Sequence, residues 1–231
     1  MNTHEYPECL ECATSRTASL PSTLWHTART EGARSADPEK YLKDAVLLQK
    51  EYDEGSGSIP TRTVFYLAQS YRDAGRGELA QRYYEKRVAI EPRGWLEEVY
   101  VACVNLARLA TDIGLKLRWT WQAQEVVPAR RDAVFELLTY ARKRDLFCQE
   151  IFALDVAFAT PAAKESTSTG HLFLPVLESW QYDDELSIIA HYTGHFAETI
   201  TFAGRALLTC PVESQTRIEK NISWWQMKIR V

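Results

Sequence analysis

The sequence lacks the signatures of most enzyme classes. It has no G-x-S-x-G elbow, and no serine or cysteine whose neighbours imply an activating base. It has no P-loop and no dinucleotide-binding fingerprint. No Asp-x-Asp occurs, so there is no carboxylate pair of that spacing to hold a divalent ion on a sugar diphosphate. No apolar run approaches the roughly 20 residues of a membrane span. The opening residues, MNTHEYPECLE, carry neither a basic n-region nor an apolar h-region, so a secretory signal is not expected. Positive charge is not in excess either: the formal net charge is −4, which argues against nucleic acid as a partner. Cysteine is sparse, five residues scattered through largely helical patterning, as expected of reduced thiols in a cytoplasmic protein. What is present, 45% hydrophobic and 25% charged over 231 residues, suits one globular domain or one solenoid of several repeats.

The clearest positive signal runs from Val64 to Pro92. Val64, Leu67, Ala68 and Tyr71 fall on one helical face, and Leu79, Ala80, Tyr83, Tyr84 and Val88 fall on another. Between them Asp73-Ala74-Gly75 makes the turn, with Gly75 suited to a left-handed C-cap, and Pro92 stops the second helix. A helix pair closed by proline is the unit of a tetratricopeptide-type repeat. With Thr61 as position 1 of 34, Ala68 and Ala80 occupy positions 8 and 20, where touching helices leave room only for small side chains. Position 27, usually alanine, is Arg87, which predicts looser packing at that point.

The phase continues in both directions. Asp37-Pro38-Glu39 starts a helix through Tyr41, Leu42, Ala45, Leu48 and Tyr52, ended by Gly55-Ser56-Gly57-Ser58. Prolines recur at Pro128, Pro161 and Pro211. A second unit is expected from Leu96 to Ala110, turning at Asp112-Ile113-Gly114, with Ala123 before Pro128. A third starts near Arg131 and carries Val134, Leu137, Leu138 and Ala141, then Ile151 and Leu154. A polar connector follows, and Leu186, Ala190, Gly194, Phe196, Ala203, Ala206 and Pro211 define the last unit. Val212 to Ile229 is expected to cap the stack, because a terminal apolar face has no neighbour. The expected fold is all-α: residues 1–35 irregular, then residues 36–231 as a tetratricopeptide-like, right-handed α-solenoid of about four helical hairpins.

Several segments resemble one family more narrowly. HEYPEC (His4 to Cys9), EGARSADPEKYLKDA (Glu31 to Ala45), FYLAQSYRDAG (Phe65 to Gly75), GWLEEVY (Gly94 to Tyr100) and ELSIIAHYTGHF (Glu185 to Phe196) are, in that order, similar to the C-terminal region of bacterial family 2 glycosyltransferases that carry a tetratricopeptide tail. The resemblance covers about residues 4 to 225. It implies that His4 and Glu5 match the HEY at the end of that family's catalytic domain, near its metal and sugar-nucleotide site. The nucleotide-binding half that precedes HEY in the family is not in this sequence, so glycosyl transfer by this chain alone is not expected. It looks like the accessory tail, as a split subunit, a reduced relative or an expressed fragment.

In the repeat register, position 12 of each first helix points into the groove where such solenoids hold peptides. That position is Arg72, Arg108, Arg142 and finally His191, with Tyr66, Gln69, Asp73, Asn105, Thr139 and Lys143 nearby. A ladder of guanidinium groups suits an acidic peptide or a chain terminus. The alternative is that the arginines pair with Asp73, Glu98 or Glu136 and hold the repeats in register. Cys9-x2-Cys12 with His4 and His26 has some look of a zinc site but lacks a second Cys-x-x-Cys. His191 and His195 share a face only if the helix passes Gly194, which is not expected, so no metal or cofactor is assigned. Trp119, Trp121, Trp224 and Trp225 suit either a sugar-stacking surface or interhelix packing. The chain is therefore expected to be a non-catalytic, helical-repeat protein- or peptide-binding module associated with glycosyl transfer or with modified-peptide or glycan biosynthesis. The alternatives are a subunit lending His4 and Glu5 to a catalytic glycosyltransferase chain, and a homodimerisation scaffold.

Overall fold

The structure, a computed structural model, describes residues 37–55, 61–128, 130–146, 174 and 177–229. The N-terminal segment with His4, Glu5, Cys9, Cys12 and His26 lies outside the described residues, as do Ile151, Leu154 and Pro161. Among the described residues the fold is all-α, with nine helices and no strand: α1 (Lys40–Glu54), α2 (Thr61–Asp73), α3 (Gly77–Ala89), α4 (Leu96–Leu109), α5 (Ile113–Val126), α6 (Asp132–Lys143), α7 (Ser179–Tyr192), α8 (Phe196–Thr209) and α9 (Val212–Ile229). Two compact units divide within α3, after Tyr83. No helix among the described residues is long and apolar enough to cross a membrane.

In the first unit α1 packs on α2. The carboxylate of Asp37 accepts from the Glu39 amide at 2.9 Å in a turn ahead of α1, whose N-cap position falls on Glu39, two residues later than the Asp37 start read from the sequence, with no side-chain cap bond. Ala45 and Leu48 of α1 and Val64, Phe65, Leu67 and Ala68 of α2 are buried. The Gln49 side-chain oxygen accepts from the hydroxyls of both Tyr71 (3.2 Å) and Tyr83 (2.6 Å), whose rings stack with centroids 5.7 Å apart.

The second unit is a tetratricopeptide-like stack of hairpins. α4 pairs with α5, and α7 with α8. The first helices then pack in succession, α4 on α6 and α6 on α7. Val134, Leu137 and Leu138 of α6 close on Tyr182, Leu186, Ile189 and Ala190 of α7, with Phe202 of α8. α9 covers the end of this unit through Ile218 and Trp225, packed on Ala203, Ala206 and Cys210. The small residues expected at close approaches, Ala80, Ala123, Ala203 and Ala206, are fully buried.

Each first helix ends at the same register position: Asp73, Leu109, Lys143 and Tyr192. Three of these ends close alike. Gly75 (φ 71°), Asp145 (φ 52°) and Gly194 (φ 83°) are left-handed. The amides of Arg76, Leu146 and His195 reach the carbonyls of Tyr71, Ala141 and Ala190, and those of Gly75, Asp145 and Gly194 reach Arg72, Arg142 and His191. The α4–α5 end differs, and the turn expected at Asp112-Ile113-Gly114 lies earlier. Asp112 instead caps α5 by accepting from the Leu115 amide at 2.9 Å, and Gly114 is inside that helix. Thr111 stands where the left-handed residue would be, a conformation that a β-branched side chain resists. The two carbonyls left over, of Ala107 and Arg108, instead accept from the buried Lys116 ammonium. That ammonium lies 4.5 Å from the centre of the Tyr140 ring, whose hydroxyl donates to the Thr111 carbonyl at 2.7 Å. Burial holds the Lys116 amine below the usual lysine value, and the Glu136 charge acts against that shift.

Candidate functional site

In the second unit, position 12 is carried by α4 (Arg108), α6 (Arg142) and α7 (His191), whose packing sets them in series along one face. Arg108 donates to Oε1 of Glu136 at 2.7 Å. Arg142 grips Glu185 with both arms of its fork, Nε to Oε2 at 2.7 Å and Nη2 to Oε1 at 2.8 Å. Glu136 and Glu185 each stand six residues before the next position 12, so one rule serves two rungs: the arginine of one hairpin takes a glutamate of the next first helix. In the first unit Arg72 pairs with its neighbour Asp73 at 2.8 Å. The pairings of Arg72 with Asp73 and Arg108 with Glu136 were legible as alternatives in the sequence; Glu185 was missed, although its six-residue offset from His191 was there to find.

At the last rung the described chain continues into α9. His191 meets aromatic rings: Trp224 at 5.0 Å and Trp225 at 5.4 Å from α9, Tyr192 at 5.4 Å and Phe196 at 5.8 Å. Burial, reinforced by the Lys228 charge, holds its imidazole below the usual histidine range, so at neutral pH it sits among these rings uncharged. His195 is not on the same helical face, since α7 ends at Tyr192 and Gly194 turns the chain. α9 is also held by Arg217, which takes both oxygens of Asp184 at 2.7 and 3.2 Å.

Other expected groove residues divide by exposure. Lys143 is exposed, and Thr139 is half-buried. Tyr66 and Gln69 are half-buried in the first unit, with the Tyr66 hydroxyl accepting from Arg62 at 3.2 Å. Asn105 departs from the expectation: it is 1% exposed and donates to the Val101 carbonyl of its own helix at 2.9 Å, because α4 is buried on nearly every side. Of the tryptophans, Trp119 and Trp225 are buried in packing, whereas Trp121 and Trp224 are exposed. The Cys103 thiol is pushed up to about 12 by burial, which keeps it protonated and a poor nucleophile.

Two further sets of ion pairs near the start of α4 are sealed. Arg87, the residue that stands where alanine was expected, is fully buried and bonds Glu98 (3.0 Å) and the carbonyls of Arg93 (2.8 Å) and Trp95 (3.2 Å). The guanidinium thus replaces close helix contact with bonds to the loop leading into α4. Arg130 bonds Glu97 (2.6 Å) and Asp132 (2.9 Å) and lies 4.4 Å from the centre of the Tyr100 ring. Tyr100, its hydroxyl pushed well up by burial and by Asp132, donates to that carboxylate at 2.9 Å. Against side-chain exposures of 0% and 2% for Arg87–Glu98, the ladder pairs are more open: 36% and 27% for Arg108–Glu136, and 34% for Arg142 against 12% for its buried partner Glu185. Exposed pairs contribute about 0–1 kcal/mol, whereas removing one partner of a buried pair costs about 3–5 kcal/mol.

No protein-family model matches the sequence, and no curated protein matches it. Among solved structures it is similar to a thermophilic TPR protein of Thermus thermophilus, at 16% identity over 81% of this chain and 91% of that one, with a TM-score of 0.41. The helical-hairpin architecture stands on the packing described above rather than on that likeness.

Proposed function

We propose that the chain is a non-catalytic helical-repeat module that docks a protein or peptide, preferring an acidic one, on the face shared by α4, α6 and α7. The observation that supports this reading is the ladder itself: Arg108 and Arg142 at one register on successive first helices, both reached by water, with exposed Lys143 beside them. Arginine in series on rigid helices suits carboxylate recognition, because the guanidinium fork matches two oxygens at once. Arg72, with Tyr66, Gln69 and Asp73 around it, carries the same register positions in the first unit. A cytoplasmic setting, without nucleic acid or membrane as partner, belongs to the same reading.

Fluorescence anisotropy of a labelled glutamate-rich peptide tests it. The wild-type chain should bind that peptide and not its glutamine counterpart, and Arg108→Glu with Arg142→Glu should abolish binding while the melting temperature stays nearly unchanged. Loss of helicity together with binding would make the arginines structural. The association with glycosyl transfer, or with modified-peptide or glycan biosynthesis, follows from the resemblance of the segments from His4 to Phe196. Co-expression with a family 2 catalytic domain tests it: activity gained only in the complex would bring His4 and Glu5 into a shared site. A strict monomer by light scattering would remove the dimerisation scaffold.

A further inference from the structure

We propose that Glu136 and Glu185 are built-in competitors for the ladder, and that an acidic ligand binds by displacing them from Arg108 and Arg142. The inference rests on the acidic-ligand reading above and deepens it. Arg142 already has Nε and Nη2 engaged by the two oxygens of one carboxylate, which is the bidentate geometry a ligand carboxylate would adopt. An incoming acid that takes this same edge of the guanidinium has to replace Glu185. The same holds on the rung below, where Glu136 occupies Nε and Nη2 of Arg108.

Exchange requires pairs that water reaches, and here the two sets of ion pairs part company. The sealed pairs at Arg87 and Arg130 have no open side, whereas water reaches one ladder pair through both Arg108 and Glu136 and the other through Arg142, its partner Glu185 being buried. Exchange also requires somewhere for the displaced charge to go. Glu136 stands close enough to Lys116 to raise its proton affinity, and Glu185 does the same to Arg217. Each glutamate thus has a second cation within electrostatic reach, Lys116 already bonded to two carbonyls and Arg217 to both oxygens of Asp184. The spacing names the ligand further. Packed helices lie roughly 8–10 Å apart, and a peptide in the extended polyproline II form advances about 3.1 Å per residue and returns to the same face every third residue. Two carboxylates three residues apart would therefore meet Arg108 and Arg142 together. The structure points to an extended acidic segment of Glu-x-x-Glu type.

The test uses the full chain and two labelled glycine-rich probes, one with two glutamates three positions apart and one with them adjacent, followed by anisotropy. The proposal expects the first probe to bind more tightly than the second. It also expects Glu136→Gln with Glu185→Gln to tighten the first probe roughly five-fold, with melting temperature as the folding control. Glu125→Gln with Glu213→Gln, an equal change of charge at exposed sites on α5 and α9, should leave affinity unaltered. If the wild type binds and the double variant binds no better or worse, the glutamates support the arginines and the exchange is overturned. An equal gain from Glu125→Gln with Glu213→Gln would overturn it too, since net charge would then explain the effect. If neither the wild type nor the double variant binds either probe, the acidic-ligand reading falls, and the exchange with it.

Discussion

The two sets of arginine–carboxylate pairs in the second unit have the same chemistry and opposite settings. Arg87–Glu98 and Arg130 with Glu97 and Asp132 are sealed at the start of α4, every charge covered by protein. Arg108–Glu136 lies open along the first helices, and Arg142–Glu185 is open on its arginine side. A buried guanidinium has lost its water and depends on its carboxylate, so the pair fixes the fold. An open one keeps part of its hydration and holds its partner weakly, so the pair remains available to a competitor. Burial, more than distance, separates structural arginines from candidate binding arginines here.

Breaking a sealed pair should have the largest effect. Arg87→Met strands Glu98 in the interior and should cost about 3–5 kcal/mol by urea denaturation. Adding Glu98→Leu should recover most of that loss, because a matched apolar pair needs no compensating charge. A smaller loss, about 1–3 kcal/mol, is expected for Lys116→Met, which leaves the Ala107 and Arg108 carbonyls without their donor. Thr111→Gly in that background should restore part of it by permitting the left-handed closure used after α2 and α7. Arg142→Met should change stability by less than about 1 kcal/mol. If it cost as much as Arg87→Met, the distinction drawn from exposure would fail.

The smallest effect concerns pH. His191 has a folded-state value lowered by burial and by Lys228 from the ordinary 6.5. Above 6.5 the imidazole is neutral in both folded and unfolded chains, and the packing of α9 on α7 is at full strength. As pH falls from 6.5 through the lower folded value, the unfolded chain takes up the proton first and stability declines. Denaturant melts followed by tryptophan fluorescence should show this slope in the wild type and lose it in His191→Phe. An unchanged slope in that variant would assign it to other groups.

The hairpins were legible because helical periodicity, small residues and prolines are all local signals. Gly75 and Gly194 take the turning roles expected of them and α9 runs from Val212 to Ile229 as read, whereas α1 starts at Lys40 with Glu39, not Asp37, at its N-cap. The α4–α5 turn was misplaced because Gly114 suggested a C-cap, and nothing local in the sequence says that a lysine side chain in the next helix will supply the missing donors. The ladder positions followed from the register, but their partners lie on the next first helix, 28 to 43 residues away. Asn105 was misjudged because the register says which way a side chain points and not whether α4 is covered. Arg87 broke the alanine rule at position 27, and only the geometry shows that its charge is met by Glu98 and two carbonyls.

The most direct test of the central claim is a double-mutant cycle on Arg142 and Glu185, measured by chemical denaturation of the full chain with Arg142→Met, Glu185→Gln and the double variant. A coupling below about 1 kcal/mol is predicted, as for a pair that a ligand can open. A coupling of about 3 kcal/mol or more, the magnitude of a sealed pair, would contradict it and make the ladder part of the framework.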